Sequence, residues 1–224
     1  MPSTQGQEAP TERRAEVTCQ ISISLDGFVA GPNQSVDHPI GEGGMRLHEW
    51  AFATRSWRAQ QGLEGGERNA DSEVIDDVFR GVGAYIMGRK MFGGGGGPWD
   101  ETWTGWWADD PPFHAPVFVL TNYAREPLVM EGGTTFTFVT NGIESALEQA
   151  RSAAGEDGVA IAGGASAVRQ YLAAGRLDEL YLHIVPILLG AGERLLEDAG
   201  DPSLEPVKVV ASPAVTHVKY RVLK

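Results

Sequence analysis

The chain has 224 residues, 42% of them hydrophobic, a formal net charge of −12 and a single cysteine. That length suits one domain with a sizeable core. The charge argues against nonspecific nucleic-acid binding, which needs a basic footprint, and one cysteine excludes an intrachain disulfide and a cysteine-based zinc cluster. No apolar run reaches the ~18 residues of a membrane helix. Met1 to Glu16 is polar and has no hydrophobic centre for a secretory signal. The reading is a disordered tail over 1–16 and one domain over 17–224, in a cytoplasmic protein with no membrane or nucleic-acid partner.

Val17 to Leu25 alternates, with Val17, Cys19, Ile21, Ile23 and Leu25 set against Thr18, Gln20, Ser22 and Ser24. This predicts a first strand in which Cys19 packs as a small hydrophobe. The strand runs into Ser-Leu-Asp-Gly-Phe-Val-Ala-Gly-Pro-Asn, residues 24–33, a loop with two turn-forming pairs. Met45 to Gln60 reads as a helix with Leu47, Trp50, Ala51 and Trp57 on one face. Asp71 is placed to cap a second helix from Ser72 to Arg80. Ala84 to Met87 reads as a buried strand leading straight into Gly88-Arg89-Lys90-Met91-Phe92.

Five consecutive glycines, Gly93 to Gly97, imply a mobile loop. Trp99, Trp103, Trp106 and Trp107 follow, four of the six tryptophans within nine residues. Exposing them would be costly, so they cover something: the protein's own body, a partner subunit, or the pocket of a flat-ring substrate. Pro116 to Leu120 and Phe136 to Val139 read as strands, and Ile143 to Ala154 as a helix. Val159 to Ala162 is an apolar run that stops at Gly163-Gly164. A helix follows with Val168, Tyr171 and Leu172 on one face and Gly175 as its cap, then an alternating strand from Leu180 to Val185. Val207–Ala211 and Val215–Leu223 close the chain as an antiparallel pair.

Strands alternating with helices argue for a mainly parallel sheet covered on both faces, and the late hairpin for an antiparallel edge. Ligands of open α/β sheets sit at the carboxyl ends of strands. Leu25-Asp26, Gly88-Arg89, Thr121-Asn122 and Gly163-Gly164 all lie just past strands. A strand, a glycine pair and a helix N-terminus together suit a pyrophosphate, because free N–H groups and the positive end of the helix dipole point outward. The five histidines, at 38, 48, 114, 183 and 217, show no metal-ligand spacing, and no metal site is expected. His183 reads as a core or interface residue.

Gly163-Gly164, the helix, Leu177-Asp178-Glu179-Leu180, the alternating strand, Pro186 and Leu188-Leu189-Gly190-Ala191-Gly192 together resemble one known pattern. It is that of the C-terminal reductase domain of the bifunctional riboflavin-biosynthesis deaminase-reductases, a family with the dihydrofolate reductase fold. Ser24-Leu25-Asp26-Gly27-x-x-Ala30 and the strand followed by Gly88-Arg89-Lys90 are similar to further motifs of that fold. The resemblance implies an α/β, dihydrofolate reductase-like three-layer fold, with a mixed, mainly parallel sheet and a C-terminal antiparallel hairpin. It implies NADPH as cofactor and a homodimer. It places Ala30, Gly88, Arg89, Lys90, Thr121, Asn122, Arg125, Gly163, Gly164, Ala165, Ser166 and Ala167 at the cofactor. Arg89 and Lys90 would reach phosphate, including the 2′-phosphate that separates NADPH from NADH.

Asp26, Glu49 and Asp110, with His114, are the candidate proton donors, and Trp50, Trp107, Asp109 and His114 are expected at the substrate. The implied activity is hydride transfer to a C=N or C=O of a small pterin- or pyrimidine-like heterocycle. A non-catalytic nucleotide- or pterin-binding protein on the same fold is the alternative. The deaminase half has no counterpart here, since its zinc motif needs several cysteines. The glutamate that the riboflavin enzymes carry just before the glycine pair is Ala162 in this chain.

Overall fold

The computed structural model describes residues 15–224, so the tail expected over 1–16 lies outside the described residues but for its last two positions. The strands, in chain order, are β1 (Val17–Ser24), β2 (Phe28–Ala30), β3 (Val82–Gly88), β4 (Pro116–Leu120), β5 (Leu128–Val129), β6 (Thr135–Val139), β7 (Gly158–Gly163), β8 (Glu179–Val185), β9 (Glu193–Arg194), β10 (Ser203–Ala211) and β11 (Thr216–Leu223). The helices are α1 (Glu49–Phe52), α2 (Arg55–Gln60), α3 (Ala70–Phe79), α4 (Arg89–Phe92), α5 (Gly142–Ala154) and α6 (Ala165–Ala173).

Nine strands form one sheet in the order β10-β11-β8-β1-β7-β3-β4-β6-β5. The six from β8 to β6 are parallel. Antiparallel pairing closes both edges, by β11 and β10 on one side and by the short β5 on the other. The expected mixed sheet with a C-terminal hairpin is therefore present, and β5 adds a second antiparallel edge.

Side-chain alternation sorts the core into layers. Ala84 and Ile86 of β3, with Val159 and Ile161 of β7 and Cys19 of β1, pack against Ala146, Leu147 and Ala150 of α5 and Val168, Tyr171 and Leu172 of α6. Tyr85, Met87 and Ala160 face the opposite way, toward Phe92, Phe136 and the tryptophan loop. A third cluster joins Leu47, Trp50, Ala51 and Ile75 to Val185 and Val215. Full burial of a side chain such as Leu147, 2% exposed, contributes roughly 1.5–3 kcal/mol. Burial pushes the Cys19 thiol up to about 12, as suits an inert core residue.

Local chemistry overrules three of the sequence expectations. The helix expected over Met45 to Gln60 is three pieces: a 3₁₀ turn over Gly44–Leu47, then α1, then α2. The break lies at Thr54, whose hydroxyl accepts the Trp57 N–H at 3.2 Å and so starts a new helix. Backbone bonds from Arg55 to Glu67 and from Glu67 to Ala53, both 2.8 Å, hold the break open. The second helix is capped by Asn69, whose side chain accepts the Ser72 N–H at 2.9 Å. Asp71, the expected cap, turns inward to His217 instead. Leu25 is 62% exposed, because β1 ends one residue earlier, at Ser24.

Candidate functional site

Parallel β3 and β7 lie side by side, with Met87 opposite Gly163. Their carboxyl ends therefore bring Gly88 and the Gly163-Gly164 pair together. The approach is close enough to demand glycine. A Cβ on Gly164, whose φ is +85°, would stand 3.2 Å from the Gly88 Cα, and one on Gly163 would meet the Met91 sulfur at 2.8 Å. Gly164 leads directly into α6. The Ala167 N–H already bonds back to the Gly164 carbonyl at 2.9 Å. The N–H groups of Ala165 and Ser166, in the first turn, have no partner within the helix.

These turns line a cavity of about 700 Å³. Ala30, Gly88, Arg89, Lys90, Thr121, Asn122 and every residue from Gly163 to Ala167 form part of its wall. All the residues expected at a cofactor thus converge there except Arg125. The Arg125 side chain is 1% exposed. It donates to the carbonyls of Trp103 (2.7 Å) and Glu101 (2.9 Å), so it anchors the tryptophan loop rather than facing the cavity. Sequence reasoning missed Tyr123, Gly142, Ile143 and Glu193, which also line the wall. Asn141-Gly142 just past β6 is a turn signal that could have found Gly142.

The two cations of the cavity are already engaged. The Arg89 guanidinium lies 3.1 Å above the Trp99 ring and donates to the Gly97 carbonyl (3.2 Å) and the Thr121 hydroxyl (3.3 Å). Burial, with a smaller contribution from Arg125, lowers its pKa. Arg89 therefore ties the glycine loop to the cavity wall. Lys90 is exposed and pairs with Glu193, and both line the cavity.

A second cavity, of about 780 Å³, runs along the sheet face that carries Thr18, Gln20, Tyr85, Ala160 and Tyr181. Phe52, Trp57, Phe79 and Phe113 add aromatic wall. Ile40, His48, Met91, Trp107 and Ala162 line both cavities and mark where they meet. His48 is the titratable group among these five. Burial pushes its pKa down to about 4, against a smaller opposing pull from the Gly44 carbonyl, so the ring is neutral at neutral pH. Its Nδ1 is buried and makes no hydrogen bond.

The expected proton donors stand elsewhere. Asp26 accepts from the Ser24 hydroxyl (2.6 Å) and from the N–H groups of Leu189 (3.1 Å) and Gly190 (2.7 Å). The Ser24 hydroxyl first, then the two amides, hold its carboxyl down at about 2 against a weaker opposing desolvation. It is an ionised clasp on the 188–192 turn. Glu49 is exposed at the start of α1 and lines neither cavity. Asp110 lies 3.6 Å from His114, whose Nδ1 is 2.9 Å from the Gly132 carbonyl. The Asp109 carbonyl accepts from the Glu131 N–H at 2.9 Å. Asp109, Asp110 and His114 thus build a loop-to-loop contact and line neither cavity.

Of the residues expected at a substrate, Trp107 alone lines a cavity. Trp50 is core. Its indole N–H donates to the Ser22 hydroxyl at 3.1 Å and its ring lies against His183 and His217. Trp99, Trp103 and Trp107 pack on the body of the chain, against the cluster around Phe92 and Phe136. Among the described residues, no group of three or more His, Cys, Asp or Glu is arranged to hold a metal ion, and no helix is long and apolar enough to cross a membrane.

The family model described as the RibD C-terminal domain matches residues 15–218. No curated protein sequence matches this chain. Solved structures share its fold. A Shewanella sp. PV-4 protein described as a riboflavin biosynthesis protein superposes with a TM-score of 0.62 at 20% identity, over 93% of this chain and 99% of that one. The Thermotoga maritima diaminohydroxyphosphoribosylaminopyrimidine deaminase/5-amino-6-(5-phosphoribosylamino)uracil reductase gives 0.56 at 13% identity, over 95% of this chain and 58% of that longer one. Dihydrofolate reductase from Enterococcus faecalis, in complex with NADP(H) and RAB-propyl, gives 0.52 at 13% identity, over 94% and 98%.

Proposed function

Because the chain belongs to the RibD C-terminal domain family, we propose that it is an NADPH-dependent reductase acting on a C=N or C=O of a small pterin- or pyrimidine-like heterocycle. The observation that carries this reading is the cradle of Gly88, Gly163 and Gly164 beneath the start of α6. A Cβ on Gly164 would crowd the Gly88 backbone and one on Gly163 would meet the Met91 sulfur, and the unpaired first-turn N–H groups suit phosphate oxygens. In a chain of net charge −12, a dinucleotide needs such a locally positive seat. Ala165 and Ser166 would hold its phosphates through their N–H groups, with Lys90 as the nearby cation. Thr121 and Asn122 would line its course, and Ala30 would face it from β2.

When bound, the cofactor supplies the hydride. The protein's share is to orient the reactants and keep the junction dry. Ile40, Met91, Trp107 and Ala162 make that junction apolar. His48, kept neutral by burial, offers a hydrogen bond there without adding charge. The family relationship also supports a cytoplasmic homodimer, which sedimentation of the purified chain tests.

The placement of Asp26, Glu49 and Asp110 off both cavities favours a second reading, a non-catalytic nucleotide- or pterin-binding protein. Titration of the purified chain with NADPH and NADH, followed by absorbance at 340 nm with dihydrofolate and related C=N compounds, separates the two. NADPH bound and oxidised supports the reductase. NADPH bound but never oxidised by any acceptor supports the binder, and failure to bind either dinucleotide overturns the reductase.

A further inference from the structure

Behind the second cavity lies a continuous buried chain of polar groups. Asp71 Oδ1 is 3.0 Å from His217 Nε2, His217 Nδ1 is 2.8 Å from His183 Nδ1, and His183 Nε2 is 2.9 Å from Gln20 Oε1. His217 is 0% exposed, His183 1% and Asp71 4%. Gln20 is half-buried and lines the cavity, one residue beyond the Cys19–Ile161 pair and so beside Ala162 at the junction.

Proton counting fixes this chain. A carboxylate only accepts, so a neutral His217 must place its single proton on Nε2, toward Asp71. His217 Nδ1 is then an acceptor, and His183 must carry its proton on Nδ1. His183 Nε2 is in turn left as an acceptor, so the Gln20 amide must turn over, exchanging Oε1 for the NH2 group at His183, and offer it an N–H. Amide orientation is set by such networks. The Gln20 carbonyl oxygen is therefore the atom left to face the cavity. The opposite orientation requires one more proton, on His217 or on Asp71. Burial lowers both histidine pKa values. For His183, His217 and then His48 add to burial, whereas for His217 the pull of Asp71 opposes it and Lys208 reinforces it. The rings of Trp50 and Tyr181 pack around the pair and bring no further charge.

We propose that Asp71, His217 and His183 are positioning residues that turn the Gln20 carbonyl oxygen toward the second cavity, where it reads an N–H edge of a flat, uncharged heterocycle. A second observation points to a ligand at the same place. Tyr181, 4% exposed, lines the cavity, and its buried hydroxyl has no hydrogen-bond partner. An amino-substituted, oxo-bearing ring supplies both an N–H for Gln20 and an acceptor for Tyr181 within one plane, and the aromatic walls suit its faces. Identifying this ring as the substrate rests on the reductase reading; the orientation of Gln20 does not.

The tests separate the two. Long-range ¹⁵N NMR of the full-length chain, histidine-labelled, at neutral pH should find His183 protonated on Nδ1 alone and His217 on Nε2 alone. A proton on His183 Nε2, or an imidazolium at His217, overturns the proposal. For the ligand, fluorescence titration with pterin (2-amino-4-oxopteridine) should show binding to the wild-type chain. Binding should weaken about tenfold in Gln20→Leu, the value of one lost hydrogen bond, with NADPH affinity unchanged. Pterin that fails to bind the wild type, or binds Gln20→Leu equally well, overturns the assignment. Loss of NADPH binding in the wild type would instead sink the reductase reading alone.

Discussion

Acidification should unfold this protein through His48 in particular. The ring is neutral in the folded state with a pKa of about 4, against an ordinary value of 6.5. Below pH 6.5 the unfolded chain takes up a proton that the folded chain refuses. Stability contributed by the neutral ring is therefore complete above 6.5 and drains away as pH falls toward 4. Linkage over that interval gives a loss of about 2 kcal/mol by pH 5 and about 3 kcal/mol by pH 4 from this one group. His183 and His217, also lowered by burial, act in the same direction. The carboxylates add their own pH dependence, so the measurement is a difference. Urea unfolding of the wild type and of His48→Gln at pH 7 and pH 5 should show the variant losing about 2 kcal/mol less between the two. Equal losses would mean that His48 is solvated in the folded state, and the account of a sealed junction would fail with it.

Further outcomes follow from the cleft. Gly164→Ala forces a side chain into φ +85° and against the Gly88 backbone. It should cost about 1–2 kcal/mol of stability and weaken NADPH binding at least roughly tenfold, read by denaturation and fluorescence titration. Glu193→Gln removes a negative charge that lines the cavity and pairs Lys90, so NADPH should bind several-fold tighter at low salt, with the gain shrinking as salt rises. Asp26, with its carboxyl held at about 2, is ionised at any working pH. Asp26→Asn should lower stability by loosening the Leu189–Gly190 turn, yet leave the shape of the pH–rate profile unchanged. A profile that loses its acidic limb would restore Asp26 as a proton donor.

The parts of this site that could be read from sequence are the parts that are local. Gly88-Arg89 and Gly163-Gly164 each sit at the end of an apolar strand and the start of a helix, and in a parallel sheet such ends share one rim. Backbone geometry alone then places them together, with no need to know how side chains turn. The tryptophans show the limit. Their clustering was visible, but whether Trp107 faced a cavity or, like Trp50, the core depended on packing partners far away. Glu49 and Asp110 line neither cavity for the same reason: where a side chain turns depends on partners that the local sequence does not show. Arg125 shows the converse, a cation well placed along the chain whose guanidinium is taken up by the carbonyls of Trp103 and Glu101.

The least legible feature was the polar chain behind the second cavity. Its bonds join Gln20 to His183, His183 to His217 and His217 to Asp71, spanning 163, 34 and 146 positions. In the sequence each residue has an ordinary explanation: a polar strand position, a core histidine, a late hairpin residue, a helix cap. Only the sheet order β11-β8-β1, with α3 packed beside it, aligns them. No carboxylate is among the residues that line both cavities. Ile40, Met91, Trp107, Ala162 and a neutral His48 give a junction of low polarity, where an ionised carboxylate would be costly to bury. Asp71, at the far end of the polar chain, is kept two histidines and an amide away. It sets the direction of the hydrogen bonds without bringing its charge to the ligand.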